Sequence, residues 1–279
     1  MLKRRQMVAA LAAAIAGAAA LPGSIVASAA QAKRRLPWRN WSGSQQCLPE
    51  ARVAPGSIPE LQQLLRQSSS TVRPVGAGHS FSPLVPTDGT IVSLSRLGGV
   101  LNHDPATLRA TIGAGARLGD IGQPLDDLGQ ALINMPDIDE QALAGCLATA
   151  THGTGAGIGC MSTFVTGLQL ADARGDLIDC SADQNPQLFE AAKVSLGALG
   201  VVTQVTLQNV APYRLKRQTV WRNFEEILEL APELAKKHRN FEFYYIPFSG
   251  MGFTDVHDIT DEPVASTERL DGNDSVEQL

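Results

Sequence analysis

Apolar positions recur at two spacings along the chain, and the helical spacing is clearest at 58–67. Leu61 and Leu65 share one face there, while polar residues occupy the other face. Ser57 and Glu60 form a capping box in front of this segment, so the helix begins at about Ile58. Similar patterns predict further helices at 117–129, 186–194 and 223–240.

Alternating and β-branched stretches predict strands between these helices. The clearest is "LGVVTQVTLQNV" at 199–210, where apolar and polar residues alternate. Other strands are predicted at 71–76, 90–97, 107–115, 163–180 (with a hairpin turn at "ARGD") and 241–248. Strands and helices interleave, so the sequence predicts an α+β fold.

The N-terminus has the pattern of an export signal at 1–32. A basic start precedes an alanine-rich apolar run, and small residues allow cleavage after Ala29 or Ala32. Arg4 and Arg5 suggest the twin-arginine export machinery, which carries folded proteins. We therefore expect an exported, periplasmic protein. The alternative is a protein anchored to the membrane by an uncleaved leader.

The sequence changes character after Tyr213. We expect one domain at 33–213 and the start of a second domain at 214–260. Residues 261–279 are polar and acidic, and they predict a disordered tail.

Composition excludes several classes of function. The net charge is −5 and no basic stripe follows the leader, so no nucleic-acid partner is expected. No His/Cys spacing fits zinc, and no metal is predicted. Cys146 lies in an apolar stretch and is interpreted as a small buried hydrophobe. P-loop and GxSxG motifs are absent from the sequence.

Two glycine-rich stretches are candidates for binding chemistry. "VGAGHSFSP" has Phe81 where the dinucleotide fingerprint has its third glycine, so its backbone N–H groups would form an irregular anion nest. A plain turn is the alternative. "GCLATATHGTGAGIGC" at 145–160 is uncharged apart from its histidine and rich in hydroxyls, which suits a large planar ligand. A glycine-rich surface loop is the alternative here.

Four motifs carry a resemblance to a known family. They are "WRNWSG" at 38–43, "VRPVGAGHSFSPL" at 72–84, "INMPDIDEQALAGCLATATHGTG" at 133–155 and "LGALGVVTQVTL" at 196–207. In this order and spacing they resemble the flavin-dependent sugar-1,4-lactone oxidases, which act on D-arabinono- or L-gulono-1,4-lactone and have the vanillyl-alcohol-oxidase type of FAD-binding fold. The resemblance covers residues 36–259. It implies a two-subdomain, PCMH-type FAD-binding domain followed by the start of an incomplete α+β cap domain.

The resemblance also implies a role for individual residues. Pyrophosphate contacts fall on Gly76, Ala77, Gly78 and Ser80. His79 corresponds to the histidine that bonds covalently to the 8α carbon of the flavin, although a histidine that only hydrogen-bonds within the turn remains the alternative. The ring and phosphates would be lined by Gly145, Thr149, Thr151, His152, Gly153 and Thr154, and the adenine end by Gly200, Val201 and Val202. His103, His238 and His257 match no motif and are expected at the surface.

The implied reaction is oxidation of a CH–OH group of a sugar lactone or polyol. Hydride passes to the flavin, and O2 reoxidises it to give H2O2. Family members carry substrate-binding and base residues in a complete cap, whereas this chain stops at Leu279, so we name no general base and expect a C-terminal truncation. The alternatives are an inactive FAD-binding remnant, an alditol oxidase, or a lactone dehydrogenase that does not use O2. No oligomeric state is predicted.

Overall fold

The computed structural model describes residues 35–263. The predicted export signal at 1–32 and nearly all of the predicted tail at 261–279 lie outside the described residues. Within 35–263, no helix has the length and apolar character needed to cross a membrane.

A small parallel sheet forms the first layer. Its strands are β3 (Ala51–Val53), β4 (Val72–Val75) and β5 (Thr90–Ser93), in the order β3-β5-β4. The hairpin β1 (Trp38–Arg39) and β2 (Gln46–Cys47) precedes it. Pro74 lies on the edge strand β4, where its missing N–H costs no central ladder bond.

Helix α1 (Ile58–Gln67) covers this sheet and has the predicted start. The Ser57 hydroxyl accepts the Glu60 N–H at 3.3 Å, and the Glu60 carboxylate accepts the Gly56 N–H at 2.7 Å. The glutamate thus caps one residue earlier than in an ideal capping box. Leu61 and Leu65 are buried in a cluster with apolar residues of β5 and of the second sheet, so the two layers share this contact.

A five-stranded antiparallel sheet forms the second layer. Its strands are β6 (Val100–Asp104), β7 (Arg109–Gly113), β8 (Val165–Ala171), β9 (Leu177–Ser181) and β10 (Val201–Gln208), in the order β6-β7-β10-β8-β9. Helices α2 (Leu118–Asp127), α3 (Leu143–Ala148) and α4 (Pro186–Ala192) accompany it. Its core contains Ile112, Leu125, Leu143 and Leu207, all nearly inaccessible to water. These two layers confirm the α+β class.

Two local features could not be seen in the sequence. Asn185 does not cap α4 through its side chain, because it has φ 52° and its amide donates instead to the Asp179 carbonyl at 2.9 Å. Gly145 lies inside α3 rather than in a loop, so only the later part of the 145–160 stretch is irregular.

A third, three-stranded antiparallel sheet follows Tyr213. Its strands are β11 (Arg214–Asn223), β12 (Asn240–Ile246) and β13 (Met251–Thr260), in the order β11-β13-β12, with α5 (Phe224–Lys237) between the first two along the chain. The pattern predicted α5 and β12 but missed β11 and β13. Ile227 of α5 and Val256 of β13 are buried.

Two of the three histidines expected at the surface are only partly exposed. His103 is exposed. The side chain of His238 is only 12% exposed and meets the Asp258 carboxylate at 2.6 Å, and that of His257 is 28% exposed. The register places His257 between β11 and β12, where single-sequence reasoning had no signal.

Candidate functional site

The first glycine turn, 76–80, follows strand β4 and lies against helix α3. A Cβ atom added to Gly76 would lie 3.0 Å from the Ala142 Cβ and 3.6 Å from the Gly145 Cα. Both segments line one cleft, which we call the first cleft. The glycines therefore let two backbones approach closely, as a backbone-built binding site requires.

The hairpin β1–β2 fixes the shape of this turn. The Trp41 N–H donates to the Gly78 carbonyl at 2.8 Å, and the Asn40 amide donates to the Ser80 carbonyl at 3.0 Å. Gly78 has φ 74°, a conformation that strains other residues. The "WRNWSG" motif thus acts as a clamp on the glycine turn.

His79 lines the first cleft and is half-buried. Its ring stacks on the Trp41 indole, with centroids 5.2 Å apart and planes 23° apart. Trp41 is 68% exposed, and it makes an edge-to-face contact with the Phe81 ring, with ring centroids 6.4 Å apart. The imidazole is therefore oriented by an aromatic neighbour rather than by a hydrogen bond within the turn.

The far end of the first cleft is formed where β10 begins. A Cβ on Gly200 would lie 2.5 Å from the Ala171 carbonyl oxygen, and Gly200 has φ 140°. Val201 and Val202 continue from it and line the same cleft. Only glycine fits at position 200 without displacing β8.

The predicted site residues divide between two clefts. The first cleft contains Gly76, Ala77, Gly78, His79, Ser80, Gly145, Thr149, Gly200, Val201 and Val202. A second cleft is lined by Thr151, His152, Gly153 and Thr154. Gln141 and Thr149 line both clefts, so the two adjoin each other.

The loop that walls the second cleft is held by buried amides. Asn134 and Asn240 are both almost inaccessible, and both donate to the Thr154 carbonyl, at 2.9 and 2.7 Å. A Cβ on Gly153 would lie 2.1 Å from the Met135 carbonyl oxygen. His152 is exposed and its Nδ1 lies 2.9 Å from the Gly153 carbonyl oxygen. The loop is therefore fixed in place, and β12 contributes to that through Asn240.

Several residues of the first cleft were missed from sequence. They are Arg73, Ser93, Ser95, Arg117 and Ser195. The Arg73 Nε and the Gln141 Oε1 are buried without a hydrogen-bond partner among the described residues. Buried polar atoms normally have a hydrogen-bond partner, so these two atoms are available to hydrogen-bond a ligand. In the sequence, the only feature that could have pointed to these two residues is that each lies shortly before a glycine-rich segment.

This arrangement fits FAD. An elongated dinucleotide needs backbone N–H groups for its phosphates, small residues beside its ring system, and a few polar side chains for its ribose and ribityl hydroxyls. The turn 76–80 offers the backbone N–H groups, and α3 and Gly200 offer the small residues. Arg73 and Gln141 offer the polar side chains. Arg73 lines the same cleft as the turn 76–80, so it would also supply positive charge to the phosphates.

Two groups near the clefts have shifted ionisation. Burial raises the pKa of the Cys146 thiol to about 12, which matches its interpretation as a small buried hydrophobe. Burial, and then the nearby Asp137 carboxylate, raise the pKa of Glu242, which lines the second cleft from β12. Glu242 was also missed from sequence.

The comparisons with known proteins agree with this geometry. Residues 49–181 match the FAD binding domain family. A solved structure of a solvent-stable cholesterol oxidase superposes with a TM-score of 0.71 at 20% identity, covering 82% of this chain and 48% of that one. The likeness shows the fold alone. Fold and family together define the chain as a flavoprotein with a PCMH-type FAD-binding domain.

Sequence relatives give the family. The L-gulono-1,4-lactone dehydrogenase of Mycobacterium tuberculosis is 36% identical over 241 residues, covering 84% of this chain and 56% of the relative. The L-gulonolactone oxidase of Bos taurus is 34% identical over 233 residues, covering 82% of this chain and 53% of the relative. This chain belongs to the sugar-lactone oxidase family, and it spans about half the length of these relatives.

Proposed function

We propose that the protein is an FAD-dependent oxidoreductase that oxidises an aldono-1,4-lactone, of the D-arabinono or L-gulono type, with O2 as acceptor and H2O2 as product. The observation that carries the proposal is the first cleft, whose glycine-built walls adjoin a second, polar cleft. The relatives' names supply the substrate class. FAD, when bound, accepts two electrons from the substrate, and the protein supplies position and electrostatics.

Within this proposal each segment of the first cleft has a task. The N–H groups of 76–80 would bind the pyrophosphate, and the segment at Gly200 would meet the adenine end; both segments line the first cleft. The loop 151–154 lines the second cleft, which adjoins the first cleft, and it would border the flavin ring. Because Asn134 and Asn240 fix that loop, it is preorganised and loses little entropy on binding.

We further propose that His79 carries the flavin through an 8α-histidyl bond. Its support is that the imidazole lines the first cleft and that its ring stacks on the Trp41 indole. A covalent bond would also prevent loss of FAD after export by the twin-arginine machinery. Export itself is tested by changing Arg4 and Arg5 to lysine, which should retain the protein in the cytoplasm.

Denaturing gels test the tether. We expect the wild-type band to fluoresce after denaturation and the His79→Ala band to be dark. His103→Ala is the matched control, because His103 is exposed on β6 outside both clefts. Fluorescence that remains in the His79→Ala band would show that His79 does not carry the flavin. A wild-type protein that is yellow in its native state but gives a dark band after denaturation would show that FAD is held without a covalent bond.

Turnover tests the reaction. The holoprotein is supplied with D-arabinono-, L-gulono- and L-galactono-1,4-lactone and with xylitol, and both O2 consumption and reduction of an artificial dye are followed. We expect O2 consumption and H2O2 with a lactone. Dye reduction without O2 consumption would favour a dehydrogenase, as the name of the mycobacterial relative suggests. No turnover by a fully loaded holoprotein would favour an inactive FAD-binding remnant.

A further inference from the structure

The β1–β2 hairpin fixes the backbone on both sides of His79. The Gly78 carbonyl accepts the Trp41 N–H at 2.8 Å, and the Ser80 carbonyl accepts the Asn40 side-chain amide at 3.0 Å. Asn40 is itself almost fully buried, so this donor has little freedom to move. The backbone at position 79 is therefore held in place, and only the side-chain torsions of His79 are left to be set.

The indole of Trp41 restricts those torsions. It stacks on the His79 imidazole, with ring centroids 5.2 Å apart and planes 23° apart. Stacked aromatic rings have a preferred geometry, whereas a free imidazole would sample several staggered rotamers. The stack therefore favours one orientation of the imidazole.

Core packing does not explain the position of this indole. Trp38 and Trp41 belong to the same short segment, but Trp38 is 7% exposed whereas Trp41 is 68% exposed. Phe81, which contacts the edge of the indole, is 65% exposed. A ring that stays this exposed removes little apolar surface from water, so it adds little to stability through burial. What Trp41 contributes is its contact with His79.

Trp41 acts on the first cleft only through the imidazole. Among the described residues, His79 lines this cleft and Trp41 does not. If His79 carries the flavin, one imidazole nitrogen must face the 8α carbon for the bond to form. Holding two reacting atoms in the right geometry can lower a barrier substantially, so a residue that fixes the imidazole can set the rate of attachment.

The chemistry of attachment gives the indole a second effect. One imidazole nitrogen shares its electron pair with the 8α carbon, the C–H bond broken there releases a proton, and the imidazole N–H releases another. The two electrons of the broken C–H bond pass to the flavin and then, with two protons, to O2, which gives H2O2. Until its N–H proton leaves, the imidazole is positively charged, and the face of an indole stabilises a cation at this distance.

We propose that Trp41 is a positioning residue for the covalent attachment of FAD, because its indole holds the His79 imidazole in the orientation that forms the bond and stabilises the charge that develops on it. The inference rests on the proposed His79 tether, and it adds a residue outside the first cleft on which the rate of attachment depends. It predicts that rate and affinity separate, so that loss of the indole slows attachment without weakening FAD binding.

Attachment is measured on apoprotein purified from riboflavin-starved cells. After FAD is added, in-gel fluorescence over time gives the rate of bond formation, and the initial quenching of FAD fluorescence gives the non-covalent affinity. We expect Trp41→Leu to slow attachment about tenfold and to leave FAD affinity within about twofold of wild type. Trp41→Phe keeps an aromatic face and should lose at most about threefold in rate. Trp221→Leu is the matched control, since Trp221 is an exposed tryptophan on β11 that lines neither cleft.

Three outcomes would overturn the inference. One is attachment in Trp41→Leu at the rate of Trp221→Leu. The others are a loss of FAD affinity in proportion to the loss of rate, and equal slowing in Trp41→Leu and Trp41→Phe, because either would show that the side chain only supports the turn. In all three, the wild-type band still fluoresces. A dark band from a yellow wild-type protein would instead remove the tether and this inference with it, and a protein that takes up no FAD would remove the proposed function, so the failures are distinguishable.

Discussion

One face of the three-stranded sheet carries Arg217, Asp255 and Glu242, and we call it the polar face. The first cleft and this polar face are built from different parts of the chain. The first cleft uses backbone groups and small residues, such as Gly76 and Gly200, which leave room for a bulky ligand. The polar face uses long charged and aromatic side chains, such as Arg217 and Glu242, brought together by strand register. Substitutions should therefore act on the cleft through steric fit and on the face through charge and hydrogen bonding.

The largest expected loss of stability is at the polar face. Arg217→Leu leaves the fully buried Asp255 carboxylate without its guanidinium. Breaking a buried pair costs about 3–5 kcal/mol, but Arg217 is 65% exposed, so we expect about 2 kcal/mol in urea unfolding. Lys216→Leu, which removes the exposed pair with Glu262, should change stability by less than about 0.5 kcal/mol.

A double-mutant cycle checks that prediction. Adding Asp255→Asn to Arg217→Leu should recover part of the loss, because the buried charge is removed. Equal costs for the single Arg217 variant and the Lys216 control would contradict the role assigned to Asp255.

The next effect separates the two regions. Gly153→Ala puts a methyl group 2.1 Å from the Met135 carbonyl oxygen, so we expect a loss of about 1–2 kcal/mol together with weaker FAD binding. Gly157→Ala lies in the same stretch with open space around it and should be neutral. Isothermal titration of FAD into the apoprotein measures the binding, and matching affinities for the two variants would show that the loop does not border the cofactor.

Asn240 is where the two regions meet, and Asn240→Leu should affect both. It removes the donor to the Thr154 carbonyl and the acceptor for Arg239, at a cost of about 1–2 kcal/mol. Because Asn134 still holds the loop, FAD affinity should fall less than in Gly153→Ala. Asn102→Leu, at an exposed position of β6, is the control. Weaker FAD binding in Asn240→Leu than in Gly153→Ala would contradict this prediction.

The smallest effect concerns pH. Burial and Asp137 raise the pKa of Glu242 in the folded protein, so ionising this carboxyl costs native stability. Relative to Glu242→Gln, the wild type should be most stable below the unfolded pKa and should lose that advantage as pH rises through the raised folded pKa. Melting temperatures of both proteins between pH 4 and pH 7 measure this difference in stability. A difference that does not change with pH would show that burial and Asp137 do not raise the pKa of Glu242.

The same contrast explains what could be predicted from the sequence. Gly76, Gly78 and the helix at 58–67 were readable because glycine spacing and apolar periodicity are local signals. Arg217, Asp255 and Glu242 were not, because only the register of β11, β12 and β13 brings them to one face. Strands β11 and β13 were themselves missed, since their apolar and charged residues show no clean alternation.

At the first cleft, too, some of the lining residues could not be predicted from the sequence. The motifs placed the turn at 76–80 and the segment at Gly200. Arg73 and Gln141 lie inside two of the same motifs, but nothing in the sequence distinguished them as ligand-binding residues. Their partnerless buried atoms become visible only in three dimensions. The division of the predicted residues between two clefts likewise depends on how α3 turns into the loop after Thr149.

One measurement tests the central claim most directly: FAD content of purified wild type and Gly76→Val. The valine side chain would fill the space between the turn and α3, where even a Cβ lies 3.0 Å from Ala142. The account predicts a yellow wild-type protein with one FAD per chain and a folded, colourless variant. A variant that retains full FAD content with unchanged affinity would place the cofactor elsewhere and contradict the account.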